Sequence, residues 1–169
     1  TEERRVRKEL HMKTVLILIV AALVAAFQPE AFAKGELRGQ DVRDVGGVDL
    51  NWDTFLDALQ AVESGGESNP DQAVGDGGKA LGAFQIWRVY WLDAVERRPD
   101  LKARGYSAVT DRAYAREVVK SYLTRYAPKG ATWEDLARIH NGGPKGHLKK
   151  STEAYWAKVL KAAKARSKQ

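Results

Sequence analysis

The 169-residue sequence contains no cysteine. That absence excludes a disulfide framework, a thiolate metal site and a cysteine nucleophile together. Metal and phosphate chemistry find no footing either. The histidines, His11, His140 and His147, lack ligand spacing, so neither a metal site nor a cofactor is expected. Gly77-Gly78-Lys79 lacks the preceding glycine spacing and the Ser/Thr of a phosphate-binding loop. No internal repeat is visible. The longest apolar run, Val15 to Phe27, has 13 residues, whereas a helical membrane span needs about 20.

The flanks of that run give it another meaning. Met12 and Lys13 precede it and Ala31-Phe32-Ala33 follows, which is the pattern of a secretory signal peptide over residues 12–33. Met12 is the only methionine, so translation is expected to start there, with residues 1–11 an upstream extension. An uncleaved signal anchor or a buried core helix is the competing reading. Cleavage after Ala33 predicts a secreted or periplasmic protein with no stable membrane insertion. Export without cysteine fits a bacterial chain better than an animal fluid, where small domains lean on disulfides. The net charge is +6, and residues 1–33 hold five Lys/Arg and four Asp/Glu, so the remainder keeps +5. A moderately basic balance suits an anionic partner: nucleic acid, a membrane surface or a cell wall.

Residues 34–50 open with a polar, glycine-containing stretch and read as a linker, with one domain over 51–166. Trp52, Phe55, Leu59 and Val62 recur at helical spacing behind Asn51 as cap, and Gly65-Gly66 stops that helix. Residues 65–83, with six glycines and Pro70, predict a loop or small β-hairpin. A second helix is expected from Phe84 to Arg97, ended by Pro99. A third runs from Asp111 to Tyr126, capped by Thr110 and stopped by Pro128. Thr132 and Asp135 form a capping-box pattern opening a fourth, to His140, and a last helix starts near Ser151. The expectation is a mainly α, α+β fold: five helices around one core, with a glycine-rich loop after the first.

Glu63 is the informative residue for chemistry. It follows the apolar turn of Leu59 and Val62 and sits just before the glycine stop. The negative helix end and partial burial both favour the protonated acid, which is what cleavage of a glycosidic bond requires. On position alone an ordinary solvated carboxylate at a helix end is the commoner reading. A two-carboxylate glycosidase needs a partner in the following loop, where Asp71 and Asp76 compete. Asp76 lies among glycines that let the backbone approach a ligand, and it also fits a plain turn aspartate. Gly82-Ala-Phe-Gln-Ile can set Gln85 at a cleft floor, or simply join loop to helix. His140 and Asn141, before Gly142-Gly143-Pro144, can donate to sugar hydroxyls or merely cap a helix. Trp87, Tyr90, Trp91, Tyr122, Tyr126, Tyr155 and Trp156 offer faces for sugar rings, although most also follow the core stripes.

These elements occur in a recognisable order. Ala61-Val-Glu-Ser-Gly-Gly, Asp76 in its glycines, Gly82-Ala-Phe-Gln-Ile with Tyr90-Trp91, Tyr122-Leu-Thr-Arg-Tyr126, Ala137-Arg-Ile-His-Asn-Gly-Gly-Pro-Lys-Gly146 and Tyr155-Trp156 resemble the invertebrate-type (destabilase-type) lysozymes, from about Trp52 to Val159. The resemblance implies a lysozyme-like fold. It also implies hydrolysis of the β-1,4 bond between N-acetylmuramic acid and N-acetylglucosamine. Glu63 matches the family's proton donor and Asp76 its second carboxylate. Gln85, Ile86, Trp87, Tyr90, Trp91, Tyr122, His140 and Asn141 are the expected saccharide-binding positions. The departure is cysteine: animal members are disulfide-rich, and Gly66 stands where a cysteine is common.

The expected partner is therefore peptidoglycan or a chitin-like oligosaccharide, met by a monomer. A lytic transglycosylase would need Glu63 alone. A wall-binding protein without turnover could share the scaffold. Nucleic-acid binding rests only on the stretch from Lys145 onward, with eight Lys/Arg and one Glu, and is not expected.

Overall fold

A computed structural model describes residues 47–168. The expected upstream extension, the signal peptide and most of the linker lie outside these residues. Six α-helices are described: α1 (Trp52–Ser64), α2 (Arg88–Val95), α3 (Pro99–Lys102), α4 (Arg112–Tyr126), α5 (Trp133–Gly142) and α6 (Glu153–Arg166). A small antiparallel sheet, in the order β1 (Val74–Gly75), β2 (Ala80–Leu81), β3 (Ile86–Trp87), stands between α1 and α2. Val74 pairs with Leu81, and Leu81 with Ile86. The fold is α+β, helical in the main, as the sequence indicates.

Caps explain where the longer helices begin. The Asn51 side chain accepts from the Asp53 and Thr54 amides, and Thr54 returns a bond to the Asn51 amide, closing a capping box. The same reciprocal arrangement joins Thr132 and Asp135 at α5, so aspartate serves in place of the usual glutamate. At α4 the cap is Asp111, whose side chain accepts from the Tyr114 amide, and not Thr110 as expected. Thr110 instead closes a 3-10 turn over Tyr106–Thr110.

Two further expectations are corrected. Phe84 does not open a helix: Gln85 has φ +48°, and Ile86–Trp87 pair into the sheet before α2 begins at Arg88. A left-handed residue cannot lie inside a right-handed helix. Pro99 does not end that helix but starts the one-turn α3, where its missing N–H costs nothing. The packed core also begins before Asn51, because Val48 and Leu50 are buried in it.

The core joins α1 to the helices that follow the sheet. Phe55, Leu56 and Leu59 of α1 are fully buried with Val118 and Leu123 of α4, Leu136 and Ile139 of α5, and Val159 of α6. The long contact between α1 and α6 closes the domain end to end. Ser64, the last residue of α1, is buried and donates to the Ala83 carbonyl at 2.7 Å. That bond ties the end of α1 to the segment leading into β3. It fixes Glu63, one residue earlier, relative to the sheet.

Candidate active site

A cleft of about 500 Å³ runs between the sheet and the helices. Glu63 and Asp76 both line it, with Gln85, Ile86, Trp87, Tyr90, Tyr122, His140 and Asn141. All but one of the residues expected at the site are thus brought together. The exception is Trp91. It is 7% exposed, and its indole N–H donates to the Tyr114 hydroxyl at 2.8 Å, inside the core. The α2 helix turns Tyr90 to the cleft and the next residue, about 100° away, to the interior. Asp71 does not line the cleft. Its Oδ1 accepts from Arg112 Nε at 2.7 Å on the surface. Among the other aromatics, Tyr126 and Trp156 are half-buried against the core.

The Glu63 wall is built of buried aromatic and imidazole rings. The Tyr155 hydroxyl, from α6, donates to Glu63 Oε1 at 2.6 Å. His140 Nε2, from α5, lies 3.7 Å from the same oxygen. Oε2 takes no hydrogen bond from any described residue. His140 Nδ1 meets the Tyr90 hydroxyl at 3.1 Å, and Tyr90 stacks on Tyr122 with ring centroids 3.6 Å apart. Burial pulls the His140 imidazole below its ordinary range, outweighing the upward pull of Glu63 and of the bond to the Phe84 backbone. A neutral imidazole makes the 3.7 Å approach a dipole contact and not an ion pair. Burial also pushes the Tyr90 and Tyr155 phenols up, and the charge of Glu63 adds to the shift in both, so both hydroxyls stay protonated.

The Asp76 wall is a turn. Asp76 opens a 3-10 turn, Asp76–Gly78, between β1 and β2, and itself has φ +48°. A non-glycine residue in this region stores backbone strain and persists only where its surroundings hold it. Trp87 supplies one restraint: its indole N–H donates to Asp76 Oδ2 at 3.0 Å, while Lys79 lies 5.8 Å over the same ring. Gln85 supplies another. Its Nε2 donates to the Gly82 carbonyl at 3.0 Å, and its Oε1 occupies the space a Cβ on Gly75 would need. Gly75 is therefore bare because Gln85 lies against it.

Val89, inside the segment Ile86 to Leu92 that the resemblance gives to saccharide binding, also lines the cleft, and so do Phe84, Asp93, Gly143 and Pro144, which the sequence does not single out. Val89 and Asp93 sit on the cleft side of α2 with Tyr90, a placement visible only once β3 fixes where that helix starts. Tyr155 was read as a ring for sugar or core, not as a partner of Glu63. No signal in the sequence links two residues 92 positions apart. No group of His, Asp and Glu suited to a metal ion occurs among the described residues. No described helix is long and apolar enough to cross a membrane.

Known proteins are similar to this chain. It is 36% identical over 83 residues to Lysozyme 1 of Crassostrea virginica, covering 47% of this chain and 43% of that protein. It is 40% identical over 83 residues to a lysozyme of Magallana gigas, covering 47% and 58%. The chain therefore spans about half the length of these curated relatives. In three dimensions it matches a chain of the crystal structure of Aeromonas hydrophila PliI in complex with Meretrix lusoria lysozyme. The TM-score is 0.50 at 30% identity, over 64% of this chain and 87% of that one. The Destabilase family model matches residues 53–162, from the first turn of α1 to near the end of α6. That span takes in both walls of the cleft, and by it the chain belongs to the Destabilase family.

Proposed function

We propose that this protein is an exported peptidoglycan glycosidase, a muramidase that hydrolyses the β-1,4 bond between N-acetylmuramic acid and N-acetylglucosamine. The observation that carries the reading is the shared cleft. One carboxyl, Glu63, is half-buried among ring donors, and a second, Asp76, is exposed on a strained turn of the same cleft. Two carboxyl groups in unlike settings are what acid-assisted glycoside cleavage uses. The lysozyme names of the relatives support the same chemistry.

Glu63 gives its proton to the glycosidic oxygen as the C–O bond breaks. Asp76 stabilises or traps the oxocarbenium-like sugar. Water then completes hydrolysis and returns a proton to Glu63. Gln85, Ile86, Trp87, Tyr90, Tyr122, His140 and Asn141 shape the sugar subsites. Exposed lysines at this end of the domain, Lys158 and Lys161 of α6 and Lys168 just beyond it, draw the enzyme to an anionic wall, an attraction that weakens with salt.

The test is digestion of purified peptidoglycan by wild type, Glu63→Gln and Asp76→Asn, with products weighed by mass spectrometry. The expected result is reducing-end muropeptides from wild type, with each variant slower by about 10²–10⁴-fold. Products one water lighter, still formed by Asp76→Asn, would instead mean a lytic transglycosylase working through Glu63 alone. Wall binding without products would mean a binding module.

A further inference from the structure

We propose that Tyr155 is the positioning residue of Glu63: its hydroxyl clamps Oε1, so that Oε2 carries the proton to the glycosidic oxygen. The inference rests on the glycosidase reading and adds a residue from the far end of the chain to its acid.

Three observations converge on it. The hydrogen bond is short, 2.6 Å, and made by a residue only 8% exposed. Both polar contacts of Glu63, the Tyr155 hydroxyl and the His140 imidazole, meet the same oxygen. Tyr155 is itself held by the core, since α6 packs along α1 and buries Val159 and Ala163 on the same face. The clamp is thus attached to the scaffold and not to a loop.

The chemistry follows from which form of Glu63 the phenol favours. Before reaction Oε2 bears the proton and Oε1 accepts from Tyr155. As the glycosidic C–O bond breaks, its electron pair goes to the leaving oxygen, which takes the proton from Oε2. Negative charge then spreads onto Oε1, where a donor is already in place. A hydrogen bond to the charged form strengthens as the charge develops, so it lowers the barrier more than it aids substrate binding. Water later returns a proton to the carboxylate, and the cycle closes. The other groups facing Glu63 do not duplicate this. His140 from α5 is neutral and farther away, Tyr90 from α2 bonds to His140, and Asp76 lines the cleft from the sheet side.

Tyr155→Phe keeps the ring and removes only the donor. The expected result is a kcat lower by about ten- to a hundredfold, the worth of one hydrogen bond to a charged group, with KM little changed. The alkaline limb of the rate profile should move up, because the carboxylate has lost its donor. Introducing 3-fluorotyrosine at position 155, a more acidic phenol, should move that limb down while preserving the fold. An unmoved limb in both proteins overturns the proposal, even if activity falls, since a merely structural ring would lower activity through stability alone. A carbon-13 NMR titration of the Glu63 carboxyl reads the same shift without turnover. If wild type cleaves nothing, the glycosidase reading fails on its own evidence. The titration then still decides whether Tyr155 governs Glu63.

Discussion

The two walls of the cleft are built on opposite principles. The Glu63 wall is drawn from α1, α2, α4, α5 and α6, and its tyrosines are buried in or against the core. The Asp76 wall is a turn of exposed residues, Asp76 to Lys79, held by one indole hydrogen bond and one glutamine side chain. The first wall is fixed by what the whole fold buries, the second by what a few neighbours restrain. The chain has no cysteine with which to brace such a loop by a disulfide. The restraint on the turn must come from hydrogen bonding and packing. Damage to the helical wall should therefore cost stability and activity together, and damage to the turn should cost activity alone.

The largest effect is expected at Gly146, on the helical side. Its position against α5 is so close that an added methyl would meet the Arg138 carbonyl and lie 2.9 Å from Ile139 Cα, backbone atoms that cannot swing away. Gly146→Ala should cost about 3 kcal/mol, the upper end for overpacking. Because α5 carries His140 and Asn141, cleavage should fall with it. Denaturant unfolding beside a turnover assay checks both. A stable Gly146→Ala protein with lost activity would break the comparison.

Trp87→Phe is the matching change on the turn. It removes the indole N–H from Asp76 and keeps an aromatic face that is already 42% exposed. The expected loss is about tenfold in kcat/KM, or about 1.4 kcal/mol of barrier. Stability should stay within about 0.5 kcal/mol, as for other surface changes. A fall in the melting temperature equal to that of Gly146→Ala would show that the turn belongs to the core after all.

The contrast between the walls also explains what could be read in advance. Helix starts were legible where a side chain caps its own neighbours, as Asn51 and Thr132 do, because the signal spans only three residues. Glu63 stands out in the sequence for the same reason: it lies in the last turn of an amphipathic helix, with Ser64 between it and the two glycines. Trp91 was misplaced because an aromatic beside the cleft and an aromatic beneath it look alike until the helix phase is known. That phase was hidden by β3, a two-residue strand too short for any alternation to reveal. The Tyr155–Glu63 bond was hidden by distance along the chain. The choice between Asp71 and Asp76 was open because both sit among turn residues, and only pairing across the fold separates them.

That choice yields the smallest expected effect and the sharpest control. Asp71 holds Arg112 in a surface ion pair with both side chains at least a third exposed. Such pairs are worth about 0–1 kcal/mol. Asp71→Asn should leave cleavage within about twofold of wild type, since exposed substitutions away from a site rarely exceed 0.5 kcal/mol. Asp76→Asn differs from it by five positions and the same single-atom exchange, so solubility, charge and loop composition change alike in the two variants. A loss confined to Asp76→Asn assigns the effect to the cleft. An equal loss in both would mean that the whole glycine-rich segment, and not one carboxyl, is what the reaction needs. The strain at Asp76 would then have no catalytic meaning. Equal retention in both would leave Glu63 as the sole acidic group in the reaction.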